Sequence, residues 1–165
     1  MAEGFAPLSQ GDLDSLCGIY AIVNVVNYLT GPHSEKKNVG LFSGLIEEFS
    51  RHWDLLSLLS SGTSCQQLSW LLRKSVINQY DLHLSRPFYH HPNVDIDTVW
   101  SAAKEWVDNG GVIIWGDEYH WTVVVRMTTR TAFFADSYGQ QLVRKTRFET
   151  KSRTLLPTSL YFIKK

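Results

Sequence analysis

Cysteine, histidine and aspartate together can run acyl transfer, and Cys17, His120 and Asp136 stand where folding can bring them together. Cys17 stands two residues before the start of the apolar run Ile19 to Leu29. Ser9, Gly11, Asp12, Asp14 and Ser15 form a polar, turn-prone approach to it, which places the thiol in or next to the first turn of a helix. A helix N-terminus favours a thiolate, and so does a neighbouring imidazolium. His120, 103 residues after Cys17, heads the run His120 to Met127, and Asp136, sixteen residues further on, follows Thr131 to Ala135. Two antiparallel strands joined by a tight turn put the start of the first beside the end of the second. The residue types then set the roles: Cys17 as nucleophile, His120 as general base and acid, and Asp136 as the group that orients the ring and stabilises its charge. Asp117 and Glu118 are closer along the chain but poorly placed to orient the ring.

These residues need a frame. Ile19, Ile22, Val23, Val26 and Leu29 follow helical spacing, with Tyr20, Ala21 and Val25 on other faces, so this helix should be wrapped by protein on most sides. Gly31 and Pro32 stop it. Asn24 and Asn27 inside it need hydrogen-bond partners, expected in nearby backbone. A second helical stretch is expected between Leu41 and Leu59, continuous or broken in two, with Leu45, Ile46, Phe49, Trp53 and Leu56 as its stripe. Beyond the turn at Ser61, Gly62, Thr63 and Ser64, a third helix carries Leu68, Leu71, Leu72 and Val76 to about Asn78, with Cys65 as a spare thiol near its start. Tyr80 to Pro92 reads as an extended or irregular connection. Asp95 or Asp97 then caps a fourth helix bearing Val99, Trp100, Ala103, Trp106 and Val107, and Gly110 ends it. From Gly111 the period changes to that of strands: Val112 to Trp115, His120 to Met127, Thr131 to Ala135 and Ser159 to Ile163. Helices first and strands afterwards predict an α+β fold, in which an N-terminal helical part packs on a C-terminal, mainly antiparallel sheet within one domain spanning residues 1–165.

Gln10 and Cys17-Gly18-Ile19-Tyr20-Ala21, His120-Trp121 on one strand and Asp136-Ser137-Tyr138-Gly139 after the next resemble the papain-like cysteine peptidase superfamily. The nearest flavour is its compact bacterial branch, which includes the double-glycine leader peptidases of bacteriocin exporters. The resemblance implies a papain-like fold with the nucleophile on a buried helix, and a Cys-His-Asp triad. It also implies an oxyanion hole formed by the backbone N–H of Cys17 and the side chain of Gln10. Gln10 stands seven residues before Cys17, one more than the family pattern. Either an extra loop residue absorbs the difference or the oxyanion donors lie elsewhere.

Composition narrows the partners. The chain has 165 residues, 44% hydrophobic and 19% charged, enough for a sizeable core and unlike a disordered chain. Sixteen basic and sixteen acidic residues cancel, which argues against a nucleic-acid or anionic-membrane partner. Two cysteines without CxxC spacing cannot form a disulfide framework. The first nine residues lack the basic and apolar regions of a signal peptide, so the expected location is the cytoplasm, or delivery without a cleaved signal. His90-His91 lacks the spacing of a metal site, and no cofactor or metal is expected. The aromatic content, 13%, favours a cleft for an extended polypeptide, with Trp115, Tyr119, Trp121 and Tyr138 near its mouth. Trp121 and Tyr138 are the expected substrate-binding residues, although Trp121 can equally be core. A cleft narrowed by rings would select glycine beside the scissile bond.

The expected activity is hydrolysis of peptide or isopeptide bonds through a thioester, on a protein or peptide substrate, with an inhibitory or delivery partner restraining or directing it. Ammonia leaving from a glutamine side chain would make the same site a deamidase, and an amine acceptor in place of water a transglutaminase or acyltransferase. A catalytically silent papain-like domain that binds peptides is the non-enzymatic alternative.

Overall fold

The computed structural model describes residues 5–11, 14–117 and 120–165. Its first helix, α1 (Cys17–Thr30), is buried at nearly every position from Cys17 to Asn27, because apolar residues occupy all its faces. Gly31, at φ 95°, ends it in a backbone conformation that favours glycine. Helix α2 (Glu35–Ser50) starts six residues before the expected Leu41. The Ser34 side chain caps it, and the two exposed turns before Leu41 carry little apolar periodicity. Asp54 caps a separate α3 (Leu55–Ser61), in which only Leu58 is buried. The expected stripe therefore breaks, and Leu56 is 72% exposed. A reciprocal Ser64–Gln67 capping box starts α4 (Cys65–Leu72), which continues as a π-helical turn over Arg73–Ile77. Asp95, not Asp97, caps α5 (Ile96–Asp108).

Six strands follow the order β1-β6-β2-β3-β4-β5, and every pairing is antiparallel. They are β1 (His83–Ser85), β2 (Val112–Gly116), β3 (Trp121–Met127), β4 (Thr131–Ala135), β5 (Leu142–Arg144) and β6 (Leu160–Lys164). A short α6 (Thr146–Glu149) follows β5. The short edge strands β1 and β5, and α6, carry too few apolar residues to be seen in the pattern.

The sheet is covered on both faces, and the side-chain period of two divides its residues between them. Val112, Ile114, Val123, Val125, Tyr161 and Ile163 pack with α1, α2 and α4. Ile113, Trp115, Val124, Phe134 and Phe162 pack with α5. The fold is α+β, six helices on an antiparallel six-stranded sheet among the described residues. Trp115, expected near the mouth of a cleft, is instead 1% exposed on the α5 side of the sheet, where its ring meets those of Trp100 and Phe148. The pleat turns it away from α1.

The buried asparagines of α1 anchor neighbouring segments. Asn27 donates to the nearby Val23 carbonyl and to Asn38, and accepts from the His33 N–H. Asn24 reaches further than expected. Its Oδ1 accepts from the Leu8 N–H at 2.8 Å and its Nδ2 faces the Leu8 carbonyl, which ties the segment leading to Gln10 against the helix. No helix among the described residues is long and apolar enough to cross a membrane.

Candidate active site

Cys17 is the first residue of α1 and is 7% exposed. Its own N–H lies in the first turn, where helix geometry supplies no carbonyl partner. Asp14 organises the approach: its Oδ1 accepts from the Leu16 N–H at 3.0 Å and its Oδ2 from the Gly11 N–H at 3.1 Å. Its backbone carbonyl accepts from Gln10 Nε2 at 3.0 Å. The glycine after Cys17 has a steric reason. A Cβ on Gly18 would fall 2.0 Å from Thr63 Oγ1 and 3.2 Å from Trp121 Cδ1, so only glycine lets both lie against the start of α1.

His120 immediately precedes β3 and Asp136 immediately follows β4. Val123 pairs with Ala135, which brings the residue just before β3 and the residue just after β4 side by side at one end of the sheet. His120 Nε2 and Asp136 Oδ1 are 2.5 Å apart, and the Asp136 side chain is fully buried. Asp136 Oδ2 accepts from the N–H groups of Tyr138 and Gln140 at 3.0 and 2.9 Å. With Nε2 held by the carboxylate, Nδ1 is the nitrogen left for the sulfur of Cys17, the ring's other polar neighbour.

Burial opposes charge on this ring, yet the hydrogen bonds and negative charge of Asp136 and Cys17 outweigh it and push the His120 pKa up to about 10. Burial also opposes the Asp136 carboxylate. The His120 hydrogen bond and charge and the Gln140 N–H win, and its pKa is lowered. An imidazolium and a carboxylate stabilise each other, and Cys17, which lines the same cleft as His120, adds to that stabilisation.

A cleft of about 620 Å³ opens onto Cys17 and His120. The approach to α1 lines it with Gln10, Asp14 and Ser15, and residues 60–65 add a hydroxyl-rich segment. Tyr138, Trp121 and Leu156 supply its apolar surface. Of the four aromatic residues expected near its mouth, Trp121 and Tyr138 line it and Trp115 is in the core, while Tyr119, like Glu118, lies outside the described residues. Tyr138 is 65% exposed, and its ring meets that of His120 edge-on at 6.2 Å. Trp121 is both core and cleft wall. It packs over Gly116, donates from Nε1 to the Thr63 carbonyl at 2.9 Å and so holds residues 60–65 beside α1.

Gln10 reaches the cleft through a contact invisible in the sequence pattern. Its Oε1 accepts from the buried Ser137 hydroxyl at 3.1 Å and its N–H donates to the Ser137 carbonyl at 3.0 Å. The amide is thereby turned so that Nε2 points to the Asp14 carbonyl beside Cys17, leaving one N–H on that nitrogen for another acceptor. Asp117 is a neighbour of His120 by backbone, not by ring: its Oδ1 accepts from the His120 N–H at 2.9 Å. Cys65 lines the same cleft with Sγ 3.2 Å from Ser159 Oγ, so this thiol is nearer to the site than its sequence context indicates. His90 and His91 are exposed, and no group of three or more potential metal ligands occurs among the described residues. Ser137, Asp14 and Asp117 are site neighbours whose parts residue spacing does not reveal. Each carries only a positional signal: Ser137 stands beside Asp136, Asp117 three residues before His120, and Asp14 in the polar approach to Cys17.

Comparison with family models, curated proteins and solved structures gives no match.

Proposed function

We propose that the protein is a papain-like cysteine hydrolase that cleaves peptide or isopeptide bonds through a thioester on Cys17. One observation carries this reading: a cysteine at the head of a buried helix adjoins a histidine whose far nitrogen is held at 2.5 Å by a buried carboxylate. The Cys17 thiolate attacks the carbonyl carbon, and the π electrons move to oxygen. The backbone N–H of Cys17 and the remaining Gln10 Nε2–H are the donors for that oxyanion. Collapse breaks the C–N bond while the proton on His120 Nδ1 passes to the leaving amine. Water, giving its proton to the same nitrogen, then attacks the thioester and expels the thiolate. Asp136 keeps its negative charge throughout, steadying the ring and its imidazolium form. Trp121 and Tyr138, which line the cleft, supply the surface on which the substrate chain lies.

The reading is tested by mixing the protein with peptides bearing glycine or bulky residues at the cut site, quenching in acid and weighing the intact protein. A mass gain mapped to Cys17, with amine product released, is expected. Conversion of glutamine to glutamate without chain cleavage would make the site a deamidase. Bound peptide with neither adduct nor product would leave a binding module.

A further inference from the structure

The two loops that deliver His120 and Asp136 are joined by a residue far from both in sequence. Arg153 Nη2 donates to Asp117 Oδ2 at 2.6 Å and contacts Gln140 Oε1 at 3.3 Å. Asp117 belongs to the turn before β3. Its N–H donates to the His120 carbonyl at 3.1 Å, and its Oδ1 accepts from the His120 N–H. Gln140 belongs to the loop after β4, and its N–H donates to Asp136 Oδ2. One guanidinium nitrogen thus bridges the turn that sets His120 and the loop that wraps Asp136. The Arg153 and Asp117 side chains are only 15% and 17% exposed, so solvent screens this contact less than a surface ion pair. Arg153 is itself anchored by its N–H to the Arg147 carbonyl, beyond β5.

We propose that Arg153 is a positioning residue for the catalytic pair: by clamping Asp117 to Gln140 it holds the His120 ring in line between Asp136 and Cys17. This rests on the reading of Cys17 and His120 as the reacting pair. Arg153 touches neither the ring nor the sulfur; it acts through the two loops. The contact uses a single nitrogen, so a lysine ammonium can replace it, whereas methionine keeps most of the length and loses the donors.

The test compares wild type, Arg153→Met, Arg153→Lys, Asp117→Asn and His120→Ala by the iodoacetamide alkylation rate of Cys17 at pH 6.5. Mass spectrometry separates Cys17 from Cys65, and thermal melting is recorded for each variant. Arg153→Met should slow Cys17 by about tenfold, the size of one link in a coupled charge network, with Cys65 unchanged. Arg153→Lys should recover most of that loss. Asp117→Asn can still accept from the His120 N–H while losing the ion pair, so it should match Arg153→Met, and the double variant should lose no more than either. Rescue by lysine and this non-additivity separate positioning from mere loss of stability, and Asp117→Asn keeps the test decisive should Arg153→Met fold poorly. If Cys17 is fast and depends on His120 but is indifferent to Arg153→Met and Asp117→Asn, the clamp is wrong and the catalytic reading stands. If Cys17 is slow and indifferent to His120→Ala, both fall together.

Discussion

Alanine in place of Cys17 should reduce turnover of any cleaved peptide by about 10⁴-fold or more, because the nucleophile acts as a unit with its base and little of the rate survives its loss. The fold should tolerate the change. Cys17 is small and lines the cleft at the start of α1, where Trp121 and Thr63 are joined to each other by a hydrogen bond and lie against Gly18. The measurement is kcat/KM on the best peptide, with peptide affinity determined in parallel. Loss of turnover with affinity kept is expected of an enzyme. Equal turnover in the two proteins would move the chemistry elsewhere, with Cys65 in the same cleft as the first place to look.

The second large effect belongs to Asp136→Ala. This change strips three donors of their acceptor at once: the His120 ring, the Tyr138 N–H and the Gln140 N–H. Breaking a buried charge pair by removing one partner typically costs about 3–5 kcal/mol. The cost should depend on pH in a defined direction. The His120 pKa is raised to about 10, so its contribution is complete below the ordinary value of 6.5 and disappears as pH rises through 10. The Asp136 pKa is lowered, so its contribution is complete above the ordinary 3.8 and disappears as pH falls through the lowered value. The stability gap between wild type and Asp136→Ala, from denaturant midpoints, should therefore be widest between about pH 4 and pH 6.5 and narrow toward pH 10. A gap that stays constant over that range would mean the pair is not charged as described.

How much of this is legible in the residues depends on the range of the interaction. Helix α1 and the strands β2, β3 and β4 announce themselves because each carries its own dense apolar period. The His120–Asp136 contact follows from two short strands and a turn, which is local geometry. The start of α2 is hidden because its first two turns are polar and rest on the Ser34 cap. Trp115 departs from expectation for a different reason: in a sheet buried on both faces, composition does not tell which face a ring occupies, and one residue of register moves it across. The Gln10–Ser137 and Arg153–Asp117 contacts join residues 127 and 36 positions apart. No periodicity or local spacing encodes such pairs, and they emerge only when the sheet and the loops are assembled.

The central claim is that Cys17 and His120 share a proton as a reactive pair, and the alkylation rate of Cys17 against pH, in wild type and His120→Ala, tests it most directly. A free thiol, with a pKa of about 8.5, is only about 1% thiolate at pH 6.5. With the imidazolium beside it, wild-type Cys17 should react about 10- to 100-fold faster there than in His120→Ala, the two converging at high pH. Equal rates at pH 6.5 would contradict the pair and leave Cys17 an ordinary buried thiol.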